Sequence, residues 1–207
     1  MSEKAYMSKI DMALKLSEYQ WLDKEVQIDS NILDREDANC LKHAATQSFI
    51  NSSSRYIAKF LSSVIFQNED PDNFEKLKES LFLKIMSFFS YIRQYGKLSG
   101  SELIYTTFLV QKFVESEIEQ FNTSKRSIII SDGTVGTILV CAMVLAMKIL
   151  RDVVEYNNKC WSQAFGMSIE LLNQSEITFY VQLGFDVALP ESQFIRLFQK
   201  IKSYTDV

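Results

Sequence analysis

The chain of 207 residues contains few of the residues that interrupt helices: six glycines and two prolines. Chains built from β-strands alone need many turns, which glycine and proline usually provide. Their scarcity therefore predicts long helices and an all-α fold. A chain of this length suits one compact domain with extensions, or at most two small domains. It is long enough to bury a sizeable core without disulfides or metals.

The chain also has no excess of basic residues. Lysine and arginine number 22 against 26 aspartates and glutamates, which gives a formal net charge of −4. Proteins that bind nucleic acid carry a basic field that attracts phosphates, so this balance argues against a nucleic-acid partner. The cysteines Cys40, Cys141 and Cys160 are odd in number, widely spaced and without a CxxC motif. Together with an N-terminus that lacks an apolar signal core, they predict an intracellular protein of the cytoplasm or nucleus.

Motifs for catalysis or ligand binding are missing as well. The one histidine, His43, has no array of cysteines or carboxylates in the spacing of a metal site. No GxGxxG, GxxxxGK[ST] or GxSxG motif occurs, and no nucleophile–base pair is visible. We therefore predict no metal, no cofactor, no catalytic residue and no small-molecule substrate. The glycines of GTVGT at 133–137 are interpreted as the start of a helix.

The most apolar segment is too short to cross a bilayer, which takes about 20 residues. It covers residues 133–147, fifteen uncharged residues between Asp132 and Lys148. A helix that is apolar on all sides is usually buried among other helices. The segment therefore predicts a central core helix in a multi-helix fold and no membrane association.

Apolar residues recur at spacings of three and four along most of the chain, which predicts a series of helices. We expect helices at about 40–67, 74–95, 100–121, 133–152, 161–165, 168–183 and 190–203. A less regular helix is expected at 5–28 and a polar connector at 29–39. The run Ser52-Ser53-Ser54 is a candidate break in the first of the seven, and NEDPDN at 68–73 is expected to be a loop.

Several helix ends have recognisable signals. Ser99 followed by Glu102 has the capping-box spacing, in which each residue satisfies a free amide of the other. Ser131 or Asp132 is the expected cap of the apolar helix. Gly96 is expected to end the helix before it, as Gly184 ends a later one.

A set of residues between 139 and 186 carries a family resemblance. It comprises Ala146-Met147-Lys148, Tyr156-Asn157-Asn158, Trp161, Gly166-Met167-Ser168, Leu172-Asn173, Glu176, Phe179, Leu183 and Phe185. In this order and spacing they resemble the cyclin box, most closely that of the phosphate-pathway P/U-type cyclins. The resemblance covers about 47–195 and is weaker upstream, where YIRQYGKLS and FLVQKF match only in part.

The sequence departs from the family pattern at three places. The third box helix of the family usually opens with N-x-H-R, but this chain has TVGT at 134–137. Lys112 replaces the arginine of the second helix, and Arg151 stands where an acidic residue is usual. These departures leave the expected fold intact and put internal ion pairing, the partner surface and the subfamily in question.

The resemblance implies an all-α fold with a single five-helix cyclin box at 74–188. An N-terminal extension at 1–46 and a helix with its loop at 47–73 would precede the box. A short C-terminal helix at 189–207 would follow it. The implied function is that of a non-catalytic regulatory subunit of a eukaryotic cell, which binds and activates a cyclin-dependent protein kinase through its PSTAIRE-type helix. The alternatives are a cyclin-fold adaptor or transcription-factor-like module that binds no kinase, and a small helical enzyme.

The resemblance also implies the binding site for the kinase. Lys148 and Glu176 would form the family's lysine–glutamate pair, and Tyr180 and Phe185 would make apolar contacts with the kinase. The alternative for the charged residues is a structural ion pair or two unrelated surface charges. The alternative for the two aromatic residues is a place in the core.

Overall fold

The computed structural model describes residues 41–124, 129–152 and 156–204, all within the compact unit Asp34–Val207. In these ranges the chain forms seven helices and no strand, which confirms the all-α prediction. The helices are α1 (Gln47–Ile65), α2 (Pro71–Gly96), α3 (Gly100–Ser124), α4 (Val135–Leu150), α5 (Asn158–Ala164), α6 (Ile169–Gln182) and α7 (Glu191–Lys202). The helix expected at 5–28 and the connector at 29–39 lie outside the described residues.

Helix α4 is the centre of the fold, as its apolar sequence predicts. Every side chain from Ile138 to Met147 is buried. Helices α3 and α6 pack directly against it, and α1 packs in turn on α2, α3 and α7. Within the described ranges, no helix combines the length and apolarity that a membrane span requires.

The starts of two helices follow from local side-chain chemistry. The predicted capping box opens α3: the Glu102 amide donates to Ser99 Oγ at 3.2 Å, and the Ser99 amide donates to Glu102 Oε2 at 2.8 Å. Helix α2 begins inside the segment expected to be a loop. Asp70 caps it by accepting from the amide of Asn73, and Pro71 occupies the first turn, where its missing N–H costs no hydrogen bond.

The serine run does not break α1, contrary to expectation. Helix α1 begins at Gln47 and continues through Ser52, Ser53 and Ser54, all of which are buried. The Ser52 hydroxyl donates to the carbonyl of Ser48 at 3.0 Å, so it is satisfied within the helix. Small side chains at this position let α1 approach the helices that cover it.

The start of α4 also differs from the prediction, because neither Ser131 nor Asp132 caps it. The residue before the helix is Thr134, whose hydroxyl donates to the carbonyl of Ile129 at 2.8 Å and accepts from the amide of Ser131. The Asp132 carboxylate pairs instead with Lys84 at 2.8 Å. A tertiary partner therefore takes the Asp132 carboxylate, whereas Ser131 and Thr134 bond to each other within the turn before the helix.

Gly96 is the last residue of α2, but glycine is required here for a steric reason that the sequence did not indicate. The residue in the left-handed conformation is the next one, Lys97, with φ of 54°. A Cβ on Gly96 would lie 2.9 Å from the buried ring of Trp161. Glycine is needed here because α5 packs its tryptophan directly against the backbone of α2.

We predict opposite effects for two glycine substitutions. Gly96→Ala should lower the free energy of unfolding by about 1–3 kcal/mol, because the added methyl group clashes with Trp161. Gly136→Ala is the matched control: a Cβ there meets nothing within 4 Å. It should be neutral or stabilise by up to about 1 kcal/mol through helix propensity. Urea denaturation measures both, and a Gly96→Ala protein as stable as the parent would contradict the close contact.

Candidate functional site

The charged pair expected from the resemblance is formed in the structure. Lys148 lies in the last turn of α4, where the helix dipole favours a cation, and Glu176 lies in α6. The Lys148 Nζ is 2.6 Å from Glu176 Oε1 and 2.8 Å from Oε2. The side chains are 32% and 14% exposed, so the pair is half-buried at the surface. The two residues are thus not unrelated surface charges.

Asn158 is a third member of this group that the sequence reasoning did not assign to the site. Its Nδ2 donates to Glu176 Oε2 at 2.6 Å and to Asn173 Oδ1 at 2.7 Å. The glutamate therefore receives hydrogen bonds from α4 and from the start of α5. The signal available in the sequence was the YNN motif, which the resemblance used for recognition without giving it a role.

Tyr180 and Phe185 lie together just beyond this pair in the sequence. Their ring centroids are 5.0 Å apart, and the rings meet edge to face at 80°. Phe185 is 59% exposed, whereas Tyr180 is partly buried. A place in the core is therefore excluded for Phe185.

Further apolar side chains are exposed on the same two helices. Ile177 and Val181 are one turn apart on α6, 64% and 51% exposed, and Ile149 and Leu150 are exposed at the end of α4. Sequence reasoning missed them, because an apolar residue in a helix is normally assigned to the core. We use the name candidate surface for the set Lys148, Glu176, Tyr180, Phe185, Ile149, Leu150, Ile177 and Val181.

Lys112 and Arg151, two of the residues that depart from the family pattern, each form an ion pair. Lys112 Nζ is 2.6 Å from Asp186 Oδ2, just beyond α6. Arg151 turns inward: its Nε and Nη2 donate to the Glu102 carboxylate at 2.5 and 3.1 Å, and Nη2 also donates to the carbonyl of Gly96 at 2.8 Å. Arg151 therefore ties the end of α4 to the end of α2 and the start of α3.

A cavity of about 340 Å³ lies between the start of α4 and α6, and neither Lys148 nor Glu176 lines it. Of its described lining residues, Cys141 alone carries a group that titrates. Burial, and secondarily the charge of Glu176, raises the pKa of the Cys141 thiol to about 12, so the thiol is neutral at physiological pH and a weak nucleophile. This cavity gives no support to the enzyme alternative.

His43 is exposed, and the described residues contain no group of three or more histidine, cysteine, aspartate or glutamate side chains that could hold a metal ion.

A family model described as Cyclin matches residues 23–187 of the chain. The chain matches no curated protein and no solved structure in the corresponding comparisons.

We predict that Asn158 stabilises the pair in the free protein. Asn158→Ala should lower the free energy of unfolding by about 1 kcal/mol, the usual contribution of a hydrogen bond to a partly buried group. Asn158→Asp should lower it further, because a second carboxylate would face Glu176. Asn173→Ala removes only the outer hydrogen bond and should have the smallest effect. Urea denaturation of the three variants checks this order, and an aspartate variant as stable as the alanine variant would contradict it.

We predict a larger loss of stability for the inward-facing arginine. Arg151→Met should destabilise the protein by about 3–5 kcal/mol, because it leaves the buried Glu102 carboxylate without its cation. Adding Glu102→Gln should recover much of the loss, since glutamine keeps the capping box and carries no charge. Thermal and urea unfolding compare the two proteins. A double variant no more stable than Arg151→Met would show that the buried charge is not the cause.

Proposed function

The chain belongs to the cyclin family, and from this membership we propose that it is a non-catalytic regulatory subunit that binds and activates a cyclin-dependent protein kinase. The candidate surface would be the docking site, with Lys148 and Glu176 at its centre. Tyr180 and Phe185 would supply apolar contacts. Family membership leads us to expect a protein partner. That this partner is a kinase is our proposal.

The observation that carries the proposal is the lysine–glutamate pair at the surface, whose side chains are 32% and 14% exposed. A structural ion pair of low exposure would be expected to face the interior, as Arg151 and Glu102 do. Lys148 and Glu176 instead remain open to solvent on one side. The ammonium group has three protons and the carboxylate has further lone pairs, so the pair can still hold backbone carbonyl and amide groups of a partner helix.

The apolar part of the candidate surface supports the same proposal. Ile177, Val181 and Phe185 are each more than half exposed. The buried residues of α6 are Leu172 and Phe179. Apolar side chains grouped beside a charged pair are typical of a binding surface, because a partner that covers them removes apolar area from water. The charged pair would then fix the orientation of the partner.

The family implies how such docking activates the kinase. The PSTAIRE-type helix of the kinase would pack on the candidate surface and turn inward. This movement completes the kinase's own lysine–glutamate pair, which positions the phosphates of ATP. The regulatory subunit would perform no chemistry itself and would need no cofactor. The kinase's substrate would be a serine or threonine side chain of another protein.

We further propose that the chain is closest to the P/U-type cyclins and acts inside a eukaryotic cell. The motif YNN with Trp161, and the glycine and serine before α6, favour this subfamily. In this proposal the cyclin box spans 74–188, the extension is at 1–46 with its helix and loop at 47–73, and a C-terminal helix lies at 189–207.

A charge exchange distinguishes an interface pair from a merely structural pair. The double variant Lys148→Glu with Glu176→Lys can re-form the ion pair, and the Asn158 amide can turn so that its oxygen accepts from the new lysine. We expect the variant to fold with little loss of stability. It should bind the kinase at least about thirtyfold more weakly, since the charges facing the partner are reversed. The kinase is recovered with the tagged native chain from its own cells, purified, and titrated against both proteins.

The matched control exchanges the exposed pair at another site, Lys84→Glu with Asp132→Lys, and should bind as the native chain does. Phosphorylation of a proline-directed peptide by the kinase, with and without each protein, tests activation. If the native chain binds no kinase, the adaptor alternative replaces the proposal. If the charge exchange folds and binds normally, the pair is structural and the docking site lies elsewhere.

A further inference from the structure

The turn after α6 holds a bulky residue in an unusual backbone conformation. Gly184 and Phe185 both have positive φ, 64° and 59°. Glycine adopts the left-handed conformation without strain and commonly ends helices, but for phenylalanine the conformation is unfavourable because Cβ crowds the backbone. The Phe185 amide donates to the carbonyl of Tyr180 at 3.1 Å, so this turn is hydrogen-bonded and well defined.

The strain at Phe185 does not serve internal packing. Its ring is 59% exposed and rests edge to face on Tyr180. A bulky residue held in an unfavourable conformation persists only where the surrounding structure imposes it, and such positions cluster at binding and catalytic sites. The question is therefore which contacts impose it.

Side chains of helix α3 bind the two residues that follow Phe185 in the sequence. Lys112 Nζ pairs with Asp186 Oδ2 at 2.6 Å, and Asp186 Oδ1 accepts from the amide of Ala188 at 3.2 Å. About two helical turns before Lys112, the Tyr105 hydroxyl donates to the carbonyl of Val187. Two side chains of α3 thus fix two consecutive residues directly after the strained one.

The shifted pKa values of Asp186 and Tyr105 favour the protonation states that these contacts need at neutral pH. The hydrogen bond from Lys112, and then that from the Ala188 amide, lowers the pKa of Asp186. Because the folded-state pKa is lowered, the pair is intact above the ordinary aspartate range and is lost only as the pH falls through the lowered value. Burial, and secondarily the charge of Asp186, raises the pKa of Tyr105, which keeps its hydroxyl protonated as a donor.

We propose that Lys112 and Tyr105 are positioning residues. Their contacts with Asp186 and Val187, which we call the clamp, keep Phe185 in the left-handed conformation with its ring exposed for contact with the kinase. This inference rests on the proposed function and adds residues that do not touch the partner. The strain at Phe185 is set during folding, so binding does not have to impose it. A chain without the clamp must reorder the turn each time it binds.

Two measurements on the free protein test the clamp without any kinase. First, hydrogen exchange at the amide of Phe185 should become faster in Lys112→Met and in Tyr105→Phe, and should stay at the native rate in Lys112→Arg, which keeps the charge. Second, Phe185→Gly should melt about 2–4 °C higher than Phe185→Ala, because both lose the ring and only glycine relieves the strain. Unchanged exchange in Lys112→Met, or equal melting of the Phe185 pair, would overturn the clamp.

Titration with the purified kinase tests whether the clamp strengthens binding. Lys112→Met should bind about tenfold more weakly, since the cost of the left-handed conformation then falls on binding. Lys112→Arg should bind as the native chain does. In the Phe185→Ala background, Lys112→Met should cause no further loss. The control Lys84→Met removes another surface ion pair, that with Asp132, and should not affect affinity.

The outcomes separate this inference from the proposed function. If the native chain binds the kinase and Lys112→Met binds equally well, the clamp has no role in docking and the inference is wrong while the proposed function stands. If Lys112→Met weakens binding equally with and without Phe185, the lysine acts by another route and the inference is again wrong. If the native chain binds no kinase, the proposed function fails, and the kinase part of the inference fails with it.

Discussion

The fold depends on one constraint: α4 is apolar on all its faces and must be covered on all of them. Helices α3 and α6 supply the contacts, and the remaining helices pack around this group. The buried stretch from Ile138 to Met147 leaves no place for a charge, and the charged residues appear where α4 leaves the core at its carboxyl end. The helix dipole favours cations at that end. The position of the site is therefore a consequence of how the core is built.

The two cations at this end, Lys148 and Arg151, have separate roles because of the direction in which each one points. Arg151 reaches a carboxylate that is already bound into a capping box and a backbone carbonyl at the end of another helix. These described contacts are internal, and they join three helix ends. Lys148 reaches Glu176 at the edge of the core, where one side of the pair remains in solvent. Of two ion pairs of similar geometry, one is therefore enclosed by helix ends and the other lies at the surface, where we propose that a partner binds.

Sequence reasoning predicted what local physics determines. The apolar spacing located the helices, and the box formed by Ser99 and Glu102 was correct because both partners lie within one turn. Contacts between distant segments could not be predicted from local patterns. The need for glycine at position 96, for example, arises from a tryptophan 65 residues later in the sequence. Lys112 and Asp186 are separated by 74 residues. The pairing of Lys148 with Glu176 was expected only from the family resemblance, since no periodicity relates the two helices.

The candidate surface is ordered in the free chain, and part of this order lowers the stability of the protein. Asn158 and Lys148 hold the Glu176 carboxylate, and the turn after α6 carries a left-handed phenylalanine, which costs roughly 1–2 kcal/mol in the free chain. Folding must supply that free energy, and a domain of this size has only about 5–15 kcal/mol in total. In return, binding loses little conformational entropy at these side chains. Phe185→Gly, which relieves this strain, should therefore weaken binding without an equal loss of stability, a relation that would not hold for residues whose only role is in the core.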